Sequence, residues 1–88
     1  MRFDVQVETS PRSGIADPEG ATIERSLPAL GFEGFRGVRV GKSIRFTVEA
    51  GSAEEARANV EDVCAKFLTN PVIEDFFVTV TESVDVAS

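Results

Sequence analysis

Histidine, tryptophan and tyrosine are absent from this 88-residue chain, and cysteine occurs once. Without an imidazole, the group that most often moves protons near neutral pH is missing. A Ser-His-Asp triad, a Cys-His pair and the common zinc sites are therefore excluded within one chain. A lone Cys64 cannot close an internal disulfide, which makes the cytoplasm the expected compartment. Basic charge is also scarce: nine Lys and Arg stand against fifteen Asp and Glu, a net charge of −6. Such a chain repels phosphate backbones and anionic membrane surfaces, so neither nucleic acid nor membrane is expected as a partner. No apolar run approaches the ~20 residues of a membrane span. The opening "MRFDVQVE" alternates and carries no apolar block of the signal-peptide kind.

What is present suits a small globular domain. The apolar fraction is 42%, and residues 1–88 are read as one domain. A chain of this size buries only ~60–65% of its unfolded surface, so association with further copies is expected to add stability. Phe3, Val5 and Val7 alternate with polar residues and predict a half-buried strand. "TSPRSGIA" reads as a loop. Asp17 as N-cap, Pro18 at the first helical position and Ile23, Leu27 and Leu30 on one face predict a helix closed by Gly31. Pro28 conflicts with an unbroken helix and predicts a kink or an end near Leu27. Val38 and Val40, then Ile44, Phe46 and Val48, alternate around Gly41-Lys42 and predict a hairpin.

Ser52 and Glu55 form a capping-box pattern ahead of a second helix. Its apolar stripe is Ala53, Ala56, Val60, Val63, Cys64 and Phe67, and Pro71 ends it at Asn70. A last strand runs through Phe76, Val78 and Val80, and the tail "SVDVAS" is expected to fray. The order β-α-β-β-α-β predicts an α+β two-layer sandwich: a mainly antiparallel four-stranded sheet with two helices on one face.

Candidate sites are few. Asp17 and Glu19 could be metal ligands, but a helix cap and a first-turn acid account for both. Lys42 in "VGKS" lacks the upstream glycine and following helix of a phosphate loop. It reads as a solvated lysine at a hairpin tip; the alternative is that Arg36, Arg39, Lys42 and Arg45, four basic groups on one hairpin of an acidic chain, make a charge-matched docking surface. Cys64 lies in an apolar stripe with no base to activate it. Glu74 and Asp75 are adjacent at a strand's start and point to opposite faces, so they do not converge on one substrate atom. They read as an exposed turn or a contact surface.

"GIADPEGATI", "VRVGK" and "CAKFLTNPVIEDFFVTV", in that order, resemble the small PurS-type subunit of phosphoribosylformylglycinamidine synthase. The resemblance covers nearly the whole chain. It departs at Phe76, where tyrosine is frequent, at Thr69, where alanine is, at Pro28, inside a continuous helix, and at Arg12, standing in for a lysine. It implies the fourth step of de novo purine synthesis, in which a glutaminase subunit releases ammonia and a large synthetase subunit holds ATP and the ribonucleotide. The small subunit, as a dimer and possibly a tetramer, would bridge the two and keep the ammonia path closed. No catalytic residue, metal or cofactor is then expected on this chain; ATP, Mg and glutamine are used by the partner subunits. The interface candidates so implied are Asp17, Arg39, Lys42, Asn70, Glu74 and Asp75. The alternative is a free-standing ferredoxin-like module that binds a small ligand.

Overall fold

The computed structural model describes residues 1–83. In chain order it contains β1 (Arg2–Pro11), α1 (Pro18–Ala29), β2 (Lys42–Glu49), α2 (Ala53–Val63), a π-helical turn (Cys64–Leu68) and β3 (Glu74–Glu82). The class is α+β as expected, but among the described residues the sheet has three antiparallel strands, not four, in the order β2-β1-β3. Of the tail, Val84 onward lies outside the described residues.

The predicted hairpin does not form. Residues 36–41 have no strand structure, although Val38 and Val40 alternate as a strand would. Their amides are taken elsewhere. Val38 N–H donates to Glu24 Oε1 (2.8 Å) and Val40 N–H to Asp17 Oδ2 (2.8 Å). A backbone donor satisfied by a carboxylate has no need of a neighbouring strand. β2 therefore begins only at Lys42 and pairs with β1, placing Val7 opposite Ile44 and Val5 opposite Phe46.

β1 is longer than its alternation suggested. It continues through Thr9 and Ser10 to Pro11. Proline is tolerated because β2 pairs only as far as Thr9, leaving Pro11 paired with Glu74 of β3 alone. Arg12 N–H donates to Ile73 O on the β3 side, so the missing amide of Pro11 faces the side where β2 has not begun.

Every second residue of β1 faces inward. Phe3, Val5 and Val7 are buried, and Val5 and Val7 join Val60 and Cys64 from the helical layer and Val78 of β3 in one core cluster. Each such aliphatic side chain contributes about 1.5–3 kcal/mol when fully buried. Ser52 caps α2 by accepting from Glu55 N–H (3.1 Å), and Arg57 of α2 donates to Val78 O (3.0 Å).

Two helical expectations are corrected. α2 does not run as one α-helix to Asn70; its last turn widens to i→i+5, closed by Thr69 N–H and Thr69 Oγ1 on Cys64 O. The wider turn carries more residues per revolution. It turns Leu68 toward the core and Phe67 away, so Phe67 is 83% exposed instead of joining the stripe. Ala53 and Val63 are exposed as well.

The second correction concerns α1, which does not lie on the sheet: Gly20 is its only buried residue, and the packing on the sheet comes from α2 and the π-helical turn. Pro28 lies one residue before the end of α1 at Ala29, so the helix closes near Leu27 as expected. The proline sits in the last turn, where Gly31 N–H bonds to Pro28 O and Phe32 N–H to Leu27 O, with Gly31 at φ +92°. That is a Schellman closure built around the proline.

Candidate functional site

β1 ends where β2 and β3 begin, and the six candidate residues gather around that end of the sheet. Asp17, at the start of α1, accepts from Gly20 N–H (3.0 Å) and Val40 N–H (2.8 Å). These two amides, Val40 foremost, hold its carboxyl below the ordinary carboxylate value, and the charge of Arg39 adds to the effect. Asp17 is thus a cap, as its position predicted, and also a clamp on the 38–40 segment, which the sequence did not reveal. Arg39 next door sends Nη2 to the carbonyls of Pro11 (3.0 Å) and Arg12 (3.1 Å). Its guanidinium is the link from α1's base to the end of β1.

From β1 the network passes to β3. Arg12 Nε lies 3.4 Å from Asp75 Oδ1 and donates to Glu74 O. Glu74 faces inward, half-buried, while Asp75 faces out, as alternation along a strand requires. The inward carboxylate accepts from Asn70 N–H (2.8 Å) and sits 3.9 Å from the Lys42 ammonium. Asn70 in turn accepts at its side-chain oxygen from Val72 N–H, and at its backbone oxygen from Ile73 and Glu74 N–H. Asn70 and Glu74 hold one tight turn around Pro71.

All six residues therefore belong to one continuous set of contacts, joined by Arg12. The basic groups expected on a hairpin do not form one patch: Arg39 and Lys42 enter the network at the end of β1, and Arg45 lies elsewhere. Arg39 is committed to carbonyls, Lys42 faces inward toward Glu74, and Arg45 lies on the opposite, polar face of the sheet beside Thr47 and Gln6. Gly41 fixes the approach of this segment, because a Cβ there would overlap the carbonyl oxygen of Thr9.

Chemically, the arrangement offers fixed charge and hydrogen-bonding groups rather than a nucleophile with a base. Glu74 and Asp75 point apart. Cys64 is buried, and burial together with Glu61 pushes its thiol up, away from the reactive thiolate. Among the described residues, no group of three His, Cys, Asp or Glu side chains is placed to hold a metal ion. No helix among them is long and apolar enough to cross a membrane.

Two features were missed by sequence reasoning. Thr9 Oγ1 is buried between Lys42 and Phe76 with no hydrogen-bond partner; the alternation of β1 would have placed Thr9 inside had Pro11 not read as a breaker. Phe67, Val63 and Val72 are exposed apolar side chains in the stretch that surrounds Asn70 in sequence. No signal in the residue pattern marks the π-turn that turns Phe67 outward.

The profile of the PurS family, described as phosphoribosylformylglycinamidine (FGAM) synthase, matches residues 4–82. The PurS subunit of that synthase from Methanothermobacter thermautotrophicus is 40% identical over 82 residues, covering 93% of this chain and 96% of its own. The crystal structure of the PurS subunit from Thermotoga maritima superposes with a TM-score of 0.83 at 37% identity, covering 91% of this chain and 92% of that one. A chain of the PurLQS structure from the same organism gives a TM-score of 0.83 at 36% identity, covering 91% and 98%. Taken with the three-stranded fold and the Asp17–Glu74 network that carries the motif residues, these likenesses place the chain in the PurS family of phosphoribosylformylglycinamidine synthase subunits.

Proposed function

We propose that the chain is the non-catalytic accessory subunit of phosphoribosylformylglycinamidine synthase in de novo purine biosynthesis. The whole enzyme is a glutamine-dependent, ATP-consuming C–N ligase acting on formylglycinamide ribonucleotide. In this reading the chain works as a dimer in the cytoplasm, bridges the glutaminase and large synthetase subunits, and keeps ammonia on its path between them. ATP, Mg and glutamine are bound by those partners. The observation that carries the reading is the likeness, over 91% of the chain, to a chain of the PurLQS structure. The network at the sheet end supports it: charged groups at fixed positions with no activated nucleophile suit docking. The small-ligand alternative is not favoured, since the concavity of about 640 Å³ on the polar sheet face is open and lined by ordinary strand residues such as Gln6, Thr47 and Thr79.

The test is reconstitution. Mixed with the glutaminase and synthetase subunits from the same cell, the chain should co-elute with both and be required for glutamine-dependent turnover. Alone, it should turn over neither glutamine nor ATP. Full glutamine-dependent activity of the two larger subunits without this chain would overturn the reading.

A further inference from the structure

Two guanidiniums meet on the main chain where β1 ends. Arg39 Nη2 donates to the carbonyls of Pro11 (3.0 Å) and Arg12 (3.1 Å), so its planar group rests on the backbone of Arg12 itself. Arg12 sends Nε to Glu74 O (3.4 Å) and lies against Asp75, while half of its side chain stays exposed. The two differ in what they leave over. A guanidinium offers two forks, one made by its terminal nitrogens and one by Nε with Nη2. Arg39 spends Nη2, which belongs to both forks, and keeps single donors at Nε and Nη1. Arg12 spends only Nε. Its Nη1 and Nη2 make no hydrogen bond among the described residues, so its end-on fork is intact.

The surroundings favour a singly charged ligand. Each guanidinium already has an acid beside it, Asp75 for Arg12 and Asp17 for Arg39. The pair therefore holds spare donors but little spare charge, in a chain of net charge −6. A free phosphate, doubly charged and well hydrated, gains little from so open and half-neutralised a spot. A carboxylate needs only the two parallel donors that Arg12 presents, with one more from Arg39. Both side chains are anchored before any ligand arrives, so little rotamer entropy is left to lose on binding. On open surface such a bond contributes little until a covering surface excludes water from it. A macromolecule brings that cover; a small acid does not.

We infer that Arg12, backed by Arg39, is a clamp for an Asp or Glu side chain presented by a larger subunit of the assembly. The inference rests on the accessory-subunit reading, and adds the bond by which the chain is held and the chemistry required opposite it. Arg12 then has a task besides joining its neighbours. Nε ties it to β3, and Nη1 and Nη2 face the partner. Asp75, on the outward side of β3, orients the fork.

The experiment uses the full chain with the purified glutaminase and synthetase subunits, mixed in pairs and together, with ATP, Mg and glutamine present. Arg12→Gln should match wild type by circular dichroism. At about 0.05 M salt it should bind a larger subunit at least tenfold more weakly than wild type does. That difference should shrink severalfold near ~0.3 M salt, as screening sets in. Arg12→Lys, which keeps the charge without the fork, should recover only part of the affinity, and it carries the same test if Arg12→Gln does not fold. Sedimentation of the isolated chain should show one association state for wild type and Arg12→Gln. Wild-type affinity of folded Arg12→Gln for both subunits, a loss equal at both salt concentrations, or self-association lost in step overturns the clamp. So does saturable binding of inorganic phosphate to the isolated wild-type chain that Arg12→Gln abolishes, since the fork then serves a small anion. A wild-type chain that binds neither larger subunit overturns the reading beneath.

Discussion

The Lys42 ammonium and the Glu74 carboxylate meet 3.9 Å apart across the end of β1, one from each edge strand of the sheet. The two residues are not equivalent. Lys42 is more than half exposed, whereas the Glu74 side chain is only 21% exposed and also accepts from Asn70 N–H. Charge reversal at Lys42 therefore tests docking without touching the turn. Lys42→Glu should change stability by no more than ~1 kcal/mol, the range of a solvent-screened ion pair. In the reconstituted complex it should lower glutamine-dependent activity more than activity supplied with free ammonia, because only the former needs both active sites joined. Equal loss in the two assays, or no loss, would show Lys42 to be ordinary surface.

Glu74→Ala should behave differently. It removes the acceptor from the Asn70 amide and loosens the turn around Pro71. A loss of about 1–2 kcal/mol is expected from a broken charge-assisted hydrogen bond, measured by urea denaturation. Stability equal to wild type would mean that water replaces the carboxylate without cost.

Gly41→Ala probes the close approach of the chain to β1. The new Cβ would overlap Thr9 O, a backbone atom that moves only with the sheet. Destabilisation of at least ~2 kcal/mol is expected, read as a lowered denaturation midpoint with unchanged slope. A wild-type midpoint would refute the tight approach.

Asp17 predicts a pH dependence. Its folded value lies below the ordinary 3.8 because Val40 and Gly20 donate to the charged form. Its stabilising contribution is therefore complete above the unfolded-state value and is lost as pH falls through the depressed folded one, so stability rises with pH across that window. Asp17→Asn should flatten this part of the stability curve, followed by denaturation at a series of pH values below about 5. An unchanged slope would remove Asp17 as its source.

Pro28→Ala should be nearly neutral, within ~1 kcal/mol. The proline lies in the last turn, and the closure through Leu27 O and Pro28 O already exists. The restored amide is offset by a looser unfolded chain. A loss above ~2 kcal/mol, from the same denaturation measurement, would show that the proline ring itself holds the turn.

Much of the fold was legible because burial on one face writes itself as alternation. Phe3, Val5 and Val7, and Phe76, Val78 and Val80, were placed by period alone. Val38 and Val40 show the limit of that reasoning: alternation reports an extended backbone, and only the partners of its amides decide whether it is a strand. Those partners, Asp17 and Glu24, are 23 and 14 residues away. The π-turn was hidden for a related reason, since Phe67 and Leu68 are both apolar and a small change in winding selects which one turns inward. Capping at Asp17 and Ser52 was legible because it is local. The network from Arg39 through Arg12 to Asp75 was not, because its links are carbonyls and side chains brought together only by the sheet.

The strand order β2-β1-β3 has a consequence for the making of the protein. The central strand precedes both its neighbours in the chain, the second of them at residues 74–82. Val7 gains its partner Val78 only after the residues between them have been made. Until then β1 carries apolar side chains and an unpaired edge, the features that make an unfinished sheet prone to aggregate.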